Sequence, residues 1–196
     1  MTDQARGRPR DPRTDREILA ATRALLVRDG YDQVSMDAIA REAGVSRPTV
    51  YRRWPSKTHV VFEAAFGNAG DHPAPQPSGN FEADLRQFVS GAIEFWSNPV
   101  VQAAALGILA DRRRDPQLHI RTQQLLDEQT HQAFAQLTRA GIADGSLRPD
   151  LDIDTFYDVL IGTTFYAVQV QQNQPHQALA DQLCALALQG ARKDTE

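Results

Sequence analysis

The chain has 196 residues, 41% of them apolar, which suits one compact domain or a small module fused to a larger one, and its single cysteine, Cys184, excludes an internal disulfide and a cysteine-only zinc site. No apolar run follows the N-terminal arginines, so no secretory signal is expected, and Val100–Ala110, broken by Gln102, is too short to span a bilayer. The net charge of −4 divides unevenly: residues 1–66 carry 12 Lys/Arg against 9 Asp/Glu, while residues 67–196 carry 9 against 16, so a basic head, a candidate for nucleic-acid contact, precedes an acidic body.

Residues 1–13 hold Arg6, Arg8, Arg10 and Arg13 with Pro9 and Pro12, a polar stretch read as a flexible basic arm. Thr14-x-x-Glu17 reads as a capping box opening a helix. Its apolar positions Ile18, Ala21, Leu25 and Leu26 share one face, and Gly30 ends it. Ser35 can cap a second helix, Met36–Ala43, that stops at Gly44. Ser46 can cap a third, Arg47–Arg53, with Pro48 in its first turn. Ser56 can cap a fourth that runs to Phe66. Residues 67–79, with three prolines and three glycines, read as a linker. Beyond it, helices are predicted over Phe81–Ser97, Val100–Arg113, Pro116–Ala143, Ile153–Asn173 and Pro175–Ala191, punctuated by prolines and by Asp144–Pro149. No alternating strand pattern occurs. Cys184 falls in an apolar helical stretch and is expected to be buried.

Residues 35–54 carry the most information. Two short helices meet through Gly44, where a steep crossing needs a residue free to take positive φ. Ala40 is small enough for close helix approach, and Ile39, Ala43, Val45 and Val50 supply a small core. This is the spacing of a DNA-binding helix-turn-helix. The third helix would then present Ser46, Arg47, Thr49, Tyr51, Arg52 and Arg53 outward. Hydroxyls and guanidiniums bond phosphates and base edges. Arg47 is the candidate base reader, since arginine pairs bidentately with guanine, and Thr49 could touch a thymine methyl or a phosphate. Tyr51 and Lys57 suit phosphates. Arg6, Arg8 and Arg10 could add backbone or minor-groove contacts from the arm.

Residues 14–66 resemble the DNA-binding domain of the tetracycline-repressor (TetR) family. The resemblance rests on Ile18-Leu19-Ala20-Ala21, Leu25-Leu26, Gly30-Tyr31, Val34-Ser35-Met36, Ile39-Ala40, Ala43-Gly44-Val45-Ser46, Thr49-Val50-Tyr51 and Trp54-Pro55-Ser56-Lys57. It implies phosphate contacts at Tyr51 and Lys57, a recognition-helix contact at Thr49, and a bracing helix that starts at Ser35. Trp54-Pro55 departs from the His or Tyr-Phe of many relatives. The predicted fold is all-α, about nine helices: an N-terminal three-helix DNA-binding domain with the helix-turn-helix (14–66, connecting helix 56–66) and a larger helical ligand-binding and dimerisation domain (80–196).

Ile153–Val170 is apolar on more than one face. Phe156, Leu160, Thr164 and Val168 form one row and Tyr157, Ile161 and Phe165 another. With Leu179, Leu183 and Leu186 of the last helix, the first row is expected to build a four-helix interface with a second copy. A single deep core helix is the alternative. Two recognition helices roughly 34 Å apart would read a pseudo-palindrome. The candidate effector pocket comprises Phe88, Phe95, Trp96, Leu106, Leu109, Leu126, Phe134, Phe165, Tyr166 and Gln169, with Thr163 as a further polar group. No charge clearly sits among them, which favours a neutral or weakly polar, largely apolar ligand.

His59, His72, His119, His131 and His176 are scattered without ligand spacing, and there is no phosphate-cradling glycine loop or nucleophile elbow. Asp150, Asp152 and Asp154 lack the glycine and terminal glutamate of a calcium loop. Arg112-Arg113-Arg114 reads as a solvated helix end. No enzyme, cofactor or metal is therefore expected. The expectation is a cytoplasmic homodimeric repressor that binds operator DNA. A small molecule in the body would release it by swinging helix 56–66. An activator or ligand-independent regulator fits the same features, and a helical dimeric module without a DNA role is the rival of another class.

Overall fold

The computed structural model describes residues 11–67, 77–124, 128–171 and 175–192. Helix α1 (Pro12–Asp29) begins earlier than the predicted Thr14 cap. The Asp11 carboxylate accepts the Arg13 amide at 2.9 Å, and Pro12 occupies the first turn, where its missing N–H goes unneeded. Glu17 does not close a capping box but accepts from Arg13 Nε at 2.9 Å. The C-terminal residues predicted for the arm therefore belong to α1, while Arg6, Arg8 and Arg10 lie outside the described residues.

Gly30 (φ 79°) ends α1. A 3-10 turn (Tyr31–Gln33) leads to α2 (Met36–Glu42), where Ser35 Oγ accepts the Ala38 amide at 3.1 Å as expected. Gly44 takes φ 65°, and the amides of Gly44 and Val45 bond back to Arg41 and Ala40 at 3.2 and 2.9 Å. That pattern closes the carbonyls at the end of α2 and turns the chain sharply. Helix α3 (Arg47–Tyr51) is five residues long and α4 (Lys57–Phe66) ten. Neither Ser46 nor Ser56 caps its helix: Ser46 Oγ pairs with Thr49 Oγ1 at 2.8 Å and Ser56 Oγ with His59 Nδ1 at 2.9 Å.

The body comprises α5 (Phe81–Ser97), α6 (Pro99–Asp111), a 3-10 turn at Arg112–Arg114, α7 (Pro116–Gln123), α8 (Gln129–Ala143), α9 (Ile153–Tyr166) and α10 (His176–Ala191). Over the stretch 116–143, predicted as one helix, the described residues are helical throughout: α7, π-helical Gln124 and Glu128, and α8. The described residues form ten α-helices, in line with the all-α fold of about nine expected. Helix α9 passes into a π-helical turn over Ala167–Gln171. The described residues contain no strand. An isolated antiparallel bridge joins Leu147 to Arg192 and ties the α8–α9 turn to the end of α10.

Two apolar cores form. The body core joins Leu85, Phe88 and Ile93 of α5 to Phe134, Leu160, Leu183 and the buried Cys184, whose thiol burial pushes above its ordinary pKa. The head core, built on Ile18, Leu26, Ile39, Val50, Val61, Phe62 and Phe66, does not stop at the linker. It takes in Val101, Ala104, Ala105 and Ile108 of α6 and Leu118 of α7. Helix α6 therefore packs with the head, against α1 and α4, although the chain places it in the body.

The side chain of Arg53, expected to face outward, is 7% exposed. Its Nε meets the Asp15 carboxylate of α1, and Nη1 donates to the Thr49 carbonyl at 3.1 Å. It follows Val50 by three positions and so shares that residue's inward face. Trp54 is buried beside it, its indole N–H donating to Glu63 of α4 at 2.8 Å. Arg53→Ala should destabilise the protein by about 1–3 kcal/mol, because it strands a carbonyl and a carboxylate. Arg52→Ala, an exposed position, should stay within about 0.5 kcal/mol. Urea unfolding of the two variants separates them.

Candidate nucleic-acid interface

A helix of five residues does not hold itself together in water. Helix α3 is positioned by tertiary contacts: Val50 buried beneath it, Arg53 clamped to α1, and Trp54 closing the end. The opposite side carries Ser46, Arg47, Tyr51 and Arg52, all exposed, with Thr49 half-buried between them. Four of the six residues predicted to face outward here thus stand in solvent on one short surface, while Thr49 is half-buried and the Arg53 side chain is turned inward. Ser35, at the start of α2, is exposed as well.

Arg47 is folded back on its surroundings. Its Nε lies 3.1 Å from Asp37 of α2, Nη2 donates to Tyr51 Oη at 3.3 Å, and the guanidinium sits 5.3 Å from the Tyr51 ring centroid. Both charged partners are more than half exposed, so the pair is screened and costs little to open. Asp37 was absent from the sequence reading. Its signal was available: it lies in the first turn of α2, across Gly44 from the start of α3.

Lys57 is half-buried and also partnered. Its Nζ donates to the Tyr31 carbonyl at 2.8 Å and lies 4.1 Å from the Tyr31 ring centroid. Tyr31 in turn donates its hydroxyl to Asp111 of α6 at 2.5 Å. In the sequence Tyr31 has a place in the family resemblance but no link to Asp111, since 80 positions separate them.

The residues proposed for an effector pocket fall into three groups. Phe88 and Phe134 pack with tilted rings 4.8 Å apart in the body core, and Phe134 is fully buried. Phe95, Trp96 and Phe165 are half-buried and form edge-to-face pairs at 4.9 and 5.0 Å. Gln169, in the π-helical turn, is buried and donates to the Trp96 carbonyl at 2.8 Å. Leu109 is half-buried, while Leu106 and Tyr166 are 51% and 53% exposed and point away from any interior. Thr163 is exposed and Leu126 lies outside the described residues. An open groove of about 430 Å³ between α5 and the start of α10 is lined by Ser90, Ile93, Glu94, Ser97, Asn98, His176 and Gln177, none of them a predicted pocket residue.

The row expected to meet a second copy faces inward instead. Phe156, Leu160, Thr164, Val168, Leu179 and Leu183 are buried within the single chain, and of the seven only Leu186, at 68%, is exposed. Thr164 joins an apolar face because its hydroxyl bonds back to the Ile161 carbonyl at 2.9 Å. The exposed apolar positions of α9 and its π-turn are Val159, Tyr166 and Val170.

Among the described residues no group of three or more His, Cys, Asp or Glu could hold a metal ion, and no helix is long and apolar enough to cross a membrane.

Comparisons with known proteins agree with this layout. Residues 18–64 match the family model of bacterial regulatory proteins of the tetR family, and residues 75–187 match the tetracyclin repressor-like C-terminal domain. The chain is 28% identical over 191 residues to the uncharacterized HTH-type transcriptional regulator YdeS of Bacillus subtilis, covering 95% of this chain and 94% of that protein. It is similar in structure to a TetR transcriptional regulator from Agrobacterium tumefaciens, with a TM-score of 0.75 at 17% identity over 94% and 96% of the two chains. The regulator FadR from Bacillus subtilis, solved in complex with stearoyl-CoA, gives a TM-score of 0.68 at 17% identity over 89% and 98%. The last two carry the fold only. The relatives are transcriptional regulators, which sets aside an enzyme and a helical module without a DNA role. With models matched to the head and to more than half of the chain besides, this protein belongs to the TetR family of transcriptional regulators.

Proposed function

We propose that the protein is a homodimeric repressor that reads a pseudo-palindromic operator and leaves it when a small, largely apolar effector enters the body. The observation that carries the reading is the outer side of α3. Ser46, Arg47, Tyr51 and Arg52 are exposed there, on a helix whose other side is anchored by Val50 and Arg53. Arg47 reaches base edges once it leaves Asp37. Thr49, Tyr51, Arg52, Lys57 and Ser35 contact the backbone and fix the register. Arg8 and Arg10 in the arm add contacts beside it.

Dimerisation places two such helices one turn of DNA apart, about 34 Å. The surface for it is the outer stripe of α9 and its π-turn, Val159, Thr163, Tyr166 and Val170, with Leu186 of α10. These positions recur at helical spacing and leave large apolar side chains in water.

The effector site is assigned to the partly buried aromatic group of Phe95, Trp96 and Phe165, with Gln169 as the orienting polar residue. Trp96 and Phe95 also touch the head core, and Phe95 meets Phe66 of α4 at 6.1 Å. Ligand there is in contact with the head through Phe95, Trp96 and Phe165. The stearoyl chain of the stearoyl-CoA in the FadR neighbour supports an effector with a large apolar part.

Gel-shift titration against a duplex selected from a random pool tests DNA binding. Affinity should fall steeply with salt as counterions are released. Arg47→Ala should cost about 1–3 kcal/mol and relax the preference at one base, whereas Lys57→Ala should weaken all sequences alike. Binding that ignores salt, or an Arg47→Ala protein with native specificity, would sink the reading.

Sedimentation equilibrium tests the dimer. Tyr166→Asp should give a folded monomer, while Leu160→Asp, which buries a charge in the chain's own core, should fail to fold. A Tyr166→Asp protein that remains dimeric moves the interface elsewhere.

The effector site is read through Trp96 once Trp54→Phe has removed the other tryptophan. Apolar ligands that release DNA should change Trp96 emission. A ligand that releases DNA and leaves that emission untouched rules out this site.

A further inference from the structure

We infer that Tyr31 is a positioning residue for Lys57, and that Gly107 and Asp111 of α6 fix Tyr31, so that the body holds the ammonium with which the head grips the DNA backbone. This rests on the reading of Lys57 as a phosphate contact.

Lys57 reaches over the 3-10 turn to the Tyr31 carbonyl, at 2.8 Å, with its Nζ above the face of the same ring. One of its three N–H groups is thereby committed and the ring face takes up part of its charge, while the remaining donors stay available to an anion. The ammonium is therefore placed by wherever Tyr31 sits.

Two features of α6 hold Tyr31. The first is steric. A Cβ added at Gly107 would lie 2.3 Å from Tyr31 Cδ1 and 2.5 Å from two further ring carbons. The ring rests directly on the backbone of α6, and any side chain at 107 lifts it off. The second is polar. The Tyr31 hydroxyl donates to Asp111 Oδ2 at 2.5 Å, and Thr58, the neighbour of Lys57, donates to the same oxygen at 3.2 Å. Asp111 is the last residue of α6, where the helix dipole disfavours a carboxylate. The two hydrogen bonds from the head offset that placement. Burial and the Asp111 carboxylate both push the Tyr31 phenol above its ordinary pKa, so it remains a donor. No part of this arrangement belongs to α3, and it makes a DNA contact depend on the position of a body helix.

The test uses the full chain and the duplex it selects from a random pool, with affinity followed across a salt series. Lys57→Ala should bind about tenfold more weakly with a salt slope shallower by about one. Gly107→Ala should produce both changes with Lys57 still present, and the double variant Gly107→Ala/Lys57→Ala should bind no more weakly than Lys57→Ala alone. Tyr31→Phe keeps the ring and loses the hydroxyl. It should lie between native and Lys57→Ala, and it serves if Gly107→Ala does not fold. A role in stability alone would lower affinity and leave the slope as it was. Native affinity and slope in Tyr31→Phe, an unaltered slope in folded Gly107→Ala, or additive losses in the double variant would each overturn the positioning role while the Lys57 contact stands. An unaffected Lys57→Ala would overturn the contact and the inference together.

Discussion

Helix α6 buries one face in the head. Val101, Ala104, Ala105 and Ile108 are apolar and largely small, and each is buried against α1 or α4 or their neighbours. Small side chains let the backbones approach, and Gly107 carries that to its limit under Tyr31. The protein consequently has two cores that do not coincide with its two stretches of chain. One contains the helix-turn-helix head together with α6 and the start of α7, and the other contains α5, α8, α9 and α10. A run of aromatic contacts crosses between them: Phe62 to Phe66 at 5.4 Å, Phe66 to Phe95 at 6.1 Å, then Trp96 and Phe165. Trp96 packs against both cores.

The head has the opposite problem at α3, which is too short to persist alone. Its conformation is inherited from Val50, Arg53 and Trp54, which bind it to α1, α2 and α4. Specific recognition of bases requires side chains held in place by packed neighbours. Three residues on the inner side therefore fix the orientation of four on the outer side.

Much of this was legible in the amino-acid order. Gly44 announced the positive-φ turn, Ser35 the cap of α2, and Ser97-Asn98-Pro99 the break after α5, whose bounds match the prediction residue for residue. Other features were not legible because local pattern does not decide them. Thr14 and Asp11 are both good cap residues, and the chain uses the earlier one beside Pro12. Helix α9 has apolar residues on two sides, and only packing settles that Leu160 faces in and Tyr166 faces out. The π-helical character of Gln124 and Glu128 within the stretch 116–143 is marked by no proline or glycine. Arg52 and Arg53 are chemically identical and differ only in phase relative to Val50, a clue present in the sequence. Tyr31, Lys57 and Asp111 come together across 80 positions, and nothing local signals that meeting.

The polar ties along α4 limit how the head can respond to the body. Thr58 bonds Asp111 at 3.2 Å, His59 lies 3.6 Å from Asp115, and Glu63 lies 3.8 Å from Arg121, whose guanidinium also covers the Phe62 ring at 5.3 Å. A rod fastened at several stations along its length does not slide without breaking them together. Helix α4 is thus moored to Asp111, Asp115 and Arg121, and a shift of α4 either carries α6 and the start of α7 with it or breaks several ties at once.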